Sequence, residues 1–166
     1  MSVTDKVDPE LLKQIPSLPL EQQKEVLGLL EELEEAESKE KARDYFMGFC
    51  NKVWPAFIEG RHHKIMANAF ERVASGELKR LIINMPPRHT KSEFASYLLP
   101  AWMVGRNPKL KIIQATHTGE LAIKFGRKAK HLIDSEEYSK IFETRLQEDS
   151  KAAGRWETAQ GGEYFA

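Results

Sequence analysis

Apolar positions along the chain change period several times, and each change predicts a new element. Residues 1–19 are broken by Pro9, Pro16 and Pro19, which leaves room only for a short helix over residues 10–15. Residues 20–48 then read as one charged helical segment. Within it Val26, Leu29, Leu30 and Leu33 fall at i, i+3, i+4 and i+7, giving a single apolar stripe. Glu31, Glu32, Glu34, Glu35 and Glu37 cover the other side, as a solvated face of a packed helix or, alternatively, as a docking surface. An aromatic stretch follows, with Tyr45, Phe46, Phe49, Trp54 and Phe57 interrupted by Pro55. A further helix is expected over residues 62–75, its inner stripe made of Met66, Ala69, Phe70 and Val73 and its stop signal at Gly76.

From residue 80 the pattern is of another kind. Leu81-Ile82-Ile83-Asn84-Met85 is a short apolar run rich in β-branched residues and predicts a buried strand. A tight loop, Pro86-Pro87-Arg88-His89-Thr90, separates it from renewed helical spacing at Phe94, Tyr97, Leu98 and Ala101, with a bend or end near Pro100. After a turn at Gly105-Arg106-Asn107-Pro108, residues 111–116 predict a second buried strand. Thr118 is placed to cap the next helix, with Glu120 in its first turn and Ala122, Phe125, Ala129, Leu132 and Ile133 on its inner face. Strand, helix, strand, helix implies an α/β fold with a parallel sheet and right-handed crossovers. Residues 163–166 look like the opening of another strand, so the chain is expected to be a piece of a longer protein with an unfinished sheet edge.

Composition narrows the class. Hydrophobic residues make up 41% of the 166 and charged residues 30%, with formal net charge zero, so no global basic field draws the chain to nucleic acid. Any DNA contact would need a local patch. Cys50 is the single cysteine, which excludes an intrachain disulfide and suits a reducing compartment. No signal-peptide pattern opens the chain, and no apolar stretch reaches the roughly 20 residues that cross a bilayer. A soluble intracellular protein is expected.

The candidate chemistry sits at residues 85–92. A strand, a tight loop and then Lys91-Ser92 opening a helix is the arrangement of a phosphate-binding loop. The backbone N–H groups of His89, Thr90, Lys91 and Ser92 would converge on a phosphate. Lys91 would reach the β- and γ-phosphates, and the Ser92 hydroxyl would ligate Mg²⁺. Against this, Met85 and Thr90 stand where the standard pattern has glycines, and Pro86 and Pro87 bring no N–H donors. An ordinary strand-to-helix turn therefore stays open on the residues alone.

The run RLIINMPPRHTKSEFAS, residues 80–96, resembles the deviant Walker A segment of the phage terminase large subunit family. The similarity continues through Pro100-Ala101-Trp102, Gly105-Arg106-Asn107-Pro108, residues 112–118, Phe125-Gly126-Arg127, Arg155-Trp156 with Thr158, and residues 161–166. It covers the chain from about Trp54 onwards. The resemblance implies a RecA-like P-loop NTPase with a three-layer core and parallel sheet, here incomplete: a helical N-terminal segment over residues 1–59 and a partial ATPase core over 60–166, ending before the Walker B strand and the nuclease domain. It implies ATP and Mg²⁺ as cofactors, Lys91 and Ser92 as phosphate and metal residues, and Arg88 as a sensor or stabiliser of the γ-phosphate. The implied partners are double-stranded DNA, the portal protein, the small terminase subunit and further copies in a ring, at the procapsid portal in the host cytoplasm. Turnover by the fragment alone is not expected.

Weaker candidates flank the loop. His63 falls roughly where related motors place an adenine-contacting element, although a lone histidine is more often structural. Thr116 and His117 end the second predicted strand, as site residues or as part of a helix-capping turn. Lys124, Arg127, Lys128, Lys130 and His131 make one helix basic, which reads as a solvated face. Arg127 and Arg155 are candidates for an arginine finger into a neighbouring subunit. A non-catalytic anion- or partner-binding module and a different P-loop enzyme, such as a small kinase, are the competing readings.

Overall fold

Helices carry most of the architecture in the computed structural model, which describes residues 10, 13, 15–149 and 152–166. Two compact units divide the chain, Met1–Lys41 and Ala42–Ala166. The first holds a 3₁₀ turn at Ile15–Ser17 and most of the long helix α1, Leu20–Asp44. Acid-before-base pairs one turn apart, Glu35–Lys39 at 3.3 Å and Glu37–Lys41 at 3.4 Å, support that helix locally. Its predicted stripe is not a buried one, since Leu29 and Leu33 are exposed. Residues 11, 12 and 14 of the helix expected over residues 10–15 lie outside the described residues.

In the second unit α2 (Phe46–Val53), α3 (Arg61–Ala74) and a helical run over residues 91–106 meet around Phe46. Its ring packs edge-on against Phe70 at 5.3 Å, Phe94 at 5.3 Å and Trp102 at 5.6 Å, so one side chain joins all three. The start of α2 is satisfied from outside, the Phe46 N–H donating to Glu71 Oε1 at 2.8 Å. Met66 and Phe70 are buried on α3 as their spacing predicts, and Gly76 ends it with φ +80°, the left-handed stop that glycine adopts without strain.

The run over 91–106 comprises α4 (Lys91–Glu93), a π-helical turn (Phe94–Leu98) and α5 (Leu99–Arg106). Pro100 has no N–H to donate back into the preceding turn, and the wider π turn absorbs that loss, so the helix does not end at Pro100. Helix α6 (Gly119–Ile133) begins as predicted, with Thr118 Oγ1 accepting from the Leu121 N–H at 3.3 Å. All five residues predicted for its inner face are buried. The short α7 (Glu136–Ser139) brings in Tyr138, whose hydroxyl donates to the Ala101 carbonyl at 2.8 Å.

The sheet corrects the expected fold class. It has three short strands, β1 (Lys111–Ile113), β2 (Arg155–Glu157) and β3 (Glu163–Phe165), in the order β1-β3-β2. β1 runs parallel to β3 and β2 antiparallel to it, so the sheet is mixed. A mostly helical chain with this small sheet is not a RecA-like three-layer core built on a parallel sheet. The physical reason lies in two segments. Residues 81–85 form no strand and join no ladder among the described residues, and Ile82 is 86% exposed. β1 is shorter than predicted, with Ile113 81% exposed, whereas strands of a parallel α/β sheet are covered on both faces. Trp156 and Tyr164 stack at 4.7 Å between the sheet and α6, and Trp156 Nε1 donates to the Gly126 carbonyl at 3.1 Å. A Cβ on Gly126 would lie 2.7 Å from the Ala153 carbonyl oxygen, so the close approach requires glycine.

Candidate functional site

The loop after residue 85 takes a shape that its residues do not favour. Arg88 has φ +63° and Thr90 φ +57°, both left-handed. For a β-branched threonine this conformation costs about 1–2 kcal/mol. Thr90 occupies one of the positions where the standard phosphate loop has glycine, and it adopts the torsion that glycine would supply freely. The helix starts immediately afterwards. Its first intrahelical bond of that turn runs from the Phe94 N–H to the Thr90 carbonyl at 2.9 Å. The N–H groups of Lys91, Ser92 and Glu93 lie in the first turn, where no intrahelical acceptor exists and the partial positive charge of the helix gathers.

Residues 86–93 wall an open pocket of about 470 Å³, within the roughly 300–1,000 Å³ typical of ligand sites. Arg88, His89 and Ser92 are exposed along it, and Thr90 and Lys91 are half-buried. The Lys91 ammonium folds back over the loop and donates to the Met85 carbonyl at 3.1 Å. The charge of Lys91 is thus held at the loop by an acceptor that a phosphate oxygen could replace. His89 braces the turn by bonding its own Nδ1 to the Pro87 carbonyl at 2.9 Å. These features fit the phosphates of a nucleotide. The single Ser92 hydroxyl fits Mg²⁺, which keeps several waters and takes its remaining ligands from the phosphates rather than from a protein cage.

His63 joins the site from α3. It is 5% exposed, with its ring 4.7 Å from that of Phe57 and 5.1 Å from that of Phe94. Its Nδ1 accepts the Gly60 N–H at 2.9 Å, closing the N-terminus of α3 from the third helical position. Its Nε2 bonds Thr90 Oγ1 at 2.5 Å, and the Thr90 hydroxyl donates to the His89 carbonyl at 2.7 Å. Because Nδ1 is the acceptor, the ring proton sits on Nε2 and the ring is neutral. Burial pushes the His63 pKa below its ordinary value, and His62 and His89 act in the same direction while Glu59 opposes them.

Two side chains that the pattern did not single out for the site also hold the loop. Lys128 on α6 reaches both carboxylate oxygens of Glu93 at 2.8 Å and lies 5.4 Å over the Tyr97 ring. The acid beside the Lys91-Ser92 pair in the first turn of a helix was the available signal, and nothing in the spacing pointed to its partner. Lys128 is thus an ion-paired member of the basic face with its side chain partly solvated, and Lys124, Arg127 and His131 are exposed. The Thr116 hydroxyl donates to the Thr118 carbonyl at 2.6 Å, inside the turn that caps α6, and His117 is exposed. Arg155 pairs across the sheet with Glu163 at 2.9 Å, which occupies the guanidinium considered for a finger.

Among the described residues no cluster of three or more His, Cys, Asp or Glu side chains is placed to hold a metal, and no helix is long and apolar enough to cross a membrane. No protein-family model, curated protein or solved structure matches the chain.

Proposed function

We propose that this chain is the ATP-binding part of a viral DNA-packaging motor of the terminase large subunit kind, which couples ATP hydrolysis to movement of double-stranded DNA into a procapsid. The observation that carries the reading is the loop itself. A left-handed Thr90 turns the backbone directly into the first turn of a helix, and Lys91 and Ser92 stand at that turn beside an open pocket. The resemblance of residues 80–96 supplies the functional class, since a phosphate loop alone fits many nucleotide enzymes.

In this reading Lys91 exchanges the Met85 carbonyl for β- and γ-phosphate oxygens. The Ser92 hydroxyl contributes to Mg²⁺, and the N–H groups of His89, Thr90, Lys91 and Ser92 cradle phosphate. Arg88, exposed on the pocket wall, meets the γ-phosphate charge. The proposed partners are duplex DNA, the portal protein, the small terminase subunit and further copies of the same protein in a ring, working at the procapsid portal in the host cytoplasm.

Calorimetric titration of Mg-ATP and Mg-ADP, with Lys91→Ala as the comparison, tests the loop. Losing a hydrogen-bonded charge costs about 1.5–3 kcal/mol, so the variant should bind roughly 10- to 150-fold more weakly. A folded chain that binds neither nucleotide, or a variant that binds as well as the parent, would remove the proposal.

A further inference from the structure

The bond between α3 and the loop has a direction at every step. The Gly60 N–H points into Nδ1 of His63, Nε2–H points into Thr90 Oγ1, and the Thr90 hydroxyl points into the His89 carbonyl. The relay passes through the side chain of Thr90, a β-branched residue whose backbone, like that of Arg88, is held left-handed. We propose that His63 is a positioning residue of the phosphate loop: its neutral ring holds Thr90 in the left-handed conformation that aims the following N–H groups at phosphate, and protonation of the ring releases the loop. The effect on nucleotide rests on the function proposed above, whereas the effect on the loop does not.

A proton on Nδ1 would face the Gly60 N–H, donor against donor, and break the relay at its first step. It would also place a charge between Phe57 and Phe94 in a side chain almost wholly removed from water. The groups around the ring do not offset that charge. On its own helix the His62 ring lies tilted at 3.8 Å, and Lys64 is paired with Glu59 at 2.9 Å. From the preceding segment Glu59 is the one acid acting on the ring, and it is already engaged by Lys64. The loop contributes His89, and the helix that supplies Phe94 contributes Lys91, held by Met85, and Glu93, held by Lys128. Two further histidines thus oppose protonation of His63, against a single acid that favours it.

The sign of the pH effect separates this role from direct phosphate contact. An exposed histidine touching phosphate would bind more tightly as it gains charge at low pH. A neutral positioning histidine makes binding weaker as pH falls below its ordinary range near 6.5. The same depression lowers fold stability over that interval, because the unfolded chain takes up the proton first.

The test compares His63→Phe, which keeps an aromatic ring between Phe57 and Phe94, in two backgrounds of the full chain. With Thr90 present, the substitution should weaken Mg-ATP binding about tenfold, the size of one buried hydrogen bond. In a Thr90→Gly background the left-handed torsion needs no support, and the same substitution should change affinity less than about twofold. Equal fold-losses in both backgrounds, or a weakening of binding below pH 6.5 that His63→Phe leaves unchanged, would overturn the proposal. Amide hydrogen exchange at residues 88–92 gives a reading without nucleotide. His63→Phe should speed exchange there with Thr90 present and leave it unchanged with Thr90→Gly. If exchange responds in this way but no nucleotide binds, the function fails and the positioning role stands; if exchange is indifferent to His63, the positioning role fails.

Discussion

The two flanks of the loop at residues 86–90 have the same apolar character and opposite fates. Before the loop, residues 81–85 join no ladder among the described residues, with Leu81 and Ile83 packed against the core and Ile82 exposed. After it, residues 91–106 form a helical run whose Phe94, Leu98, Ala101, Trp102 and Val104 are all at most 1% exposed. In a parallel nucleotide-binding sheet the preceding strand would set the loop from below. Here the structured side is the one that follows. The loop takes its position from the helix it begins, from Lys128 on Glu93 and from His63 on Thr90. A loop can therefore be held in an unfavourable torsion without a strand beneath it, if its first helical turn and one side-chain relay are fixed.

The largest effect expected from this contrast is at Phe94. It is fully buried and touches Phe46, Phe57 and His63, so Phe94→Ala opens a cavity where three elements meet. Truncating a buried phenylalanine costs about 3–5 kcal/mol, and urea unfolding should show a loss of that size. A loss below about 1 kcal/mol would mean that the following flank does not carry the core.

Helices α3 and α6 were legible because their apolar spacing and end signals agree. Gly76 stops one with a left-handed torsion, and Thr118 caps the other. The loop was legible from the Lys91-Ser92 pair opening a helix. The missing parts share a cause. A β-branched run such as Leu81-Ile82-Ile83 reports that a segment can line a sheet, but not that a neighbouring strand is there to pair with it. The contacts that fix the loop are long-range ones. His63 lies 27 residues from Thr90 and Glu93 lies 35 from Lys128, separations at which no helical or strand period operates. His63 was visible as a candidate, but its partner was not. The left-handed Arg88 and Thr90 were likewise hidden, because neither residue type calls for that torsion.

The Lys128–Glu93 pair should give a smaller effect. Its side chains are 40% and 34% exposed, so solvent screens the attraction even though both oxygens are engaged. Lys128→Met removes the charge over the Tyr97 ring and leaves Glu93 to the favourable field of the helix N-terminus. A destabilisation of about 0.5–1 kcal/mol is expected, shrinking as salt is raised. A loss above about 2 kcal/mol, unchanged by salt, would show that this bridge rather than the aromatic core locks the helix start to α6.

Ile82 provides the smallest expected effect and the sharpest check on the preceding flank. At 86% exposure its side chain contributes little burial, and Ile82→Ser should change stability by no more than about 0.5 kcal/mol. Ile83, one residue on, is half-buried against the core and marks what burial is worth on the same stretch of backbone. Equal losses at both positions would require Ile82 to be covered in solution, as it would be in a strand paired and packed on both faces. The asymmetry between the flanks would then disappear, because the backbone entering the loop would be fixed as firmly as the helix leaving it. A near-zero change at Ile82 beside a clear loss at Ile83 leaves the segment as a one-sided stretch, with the loop held from its far side.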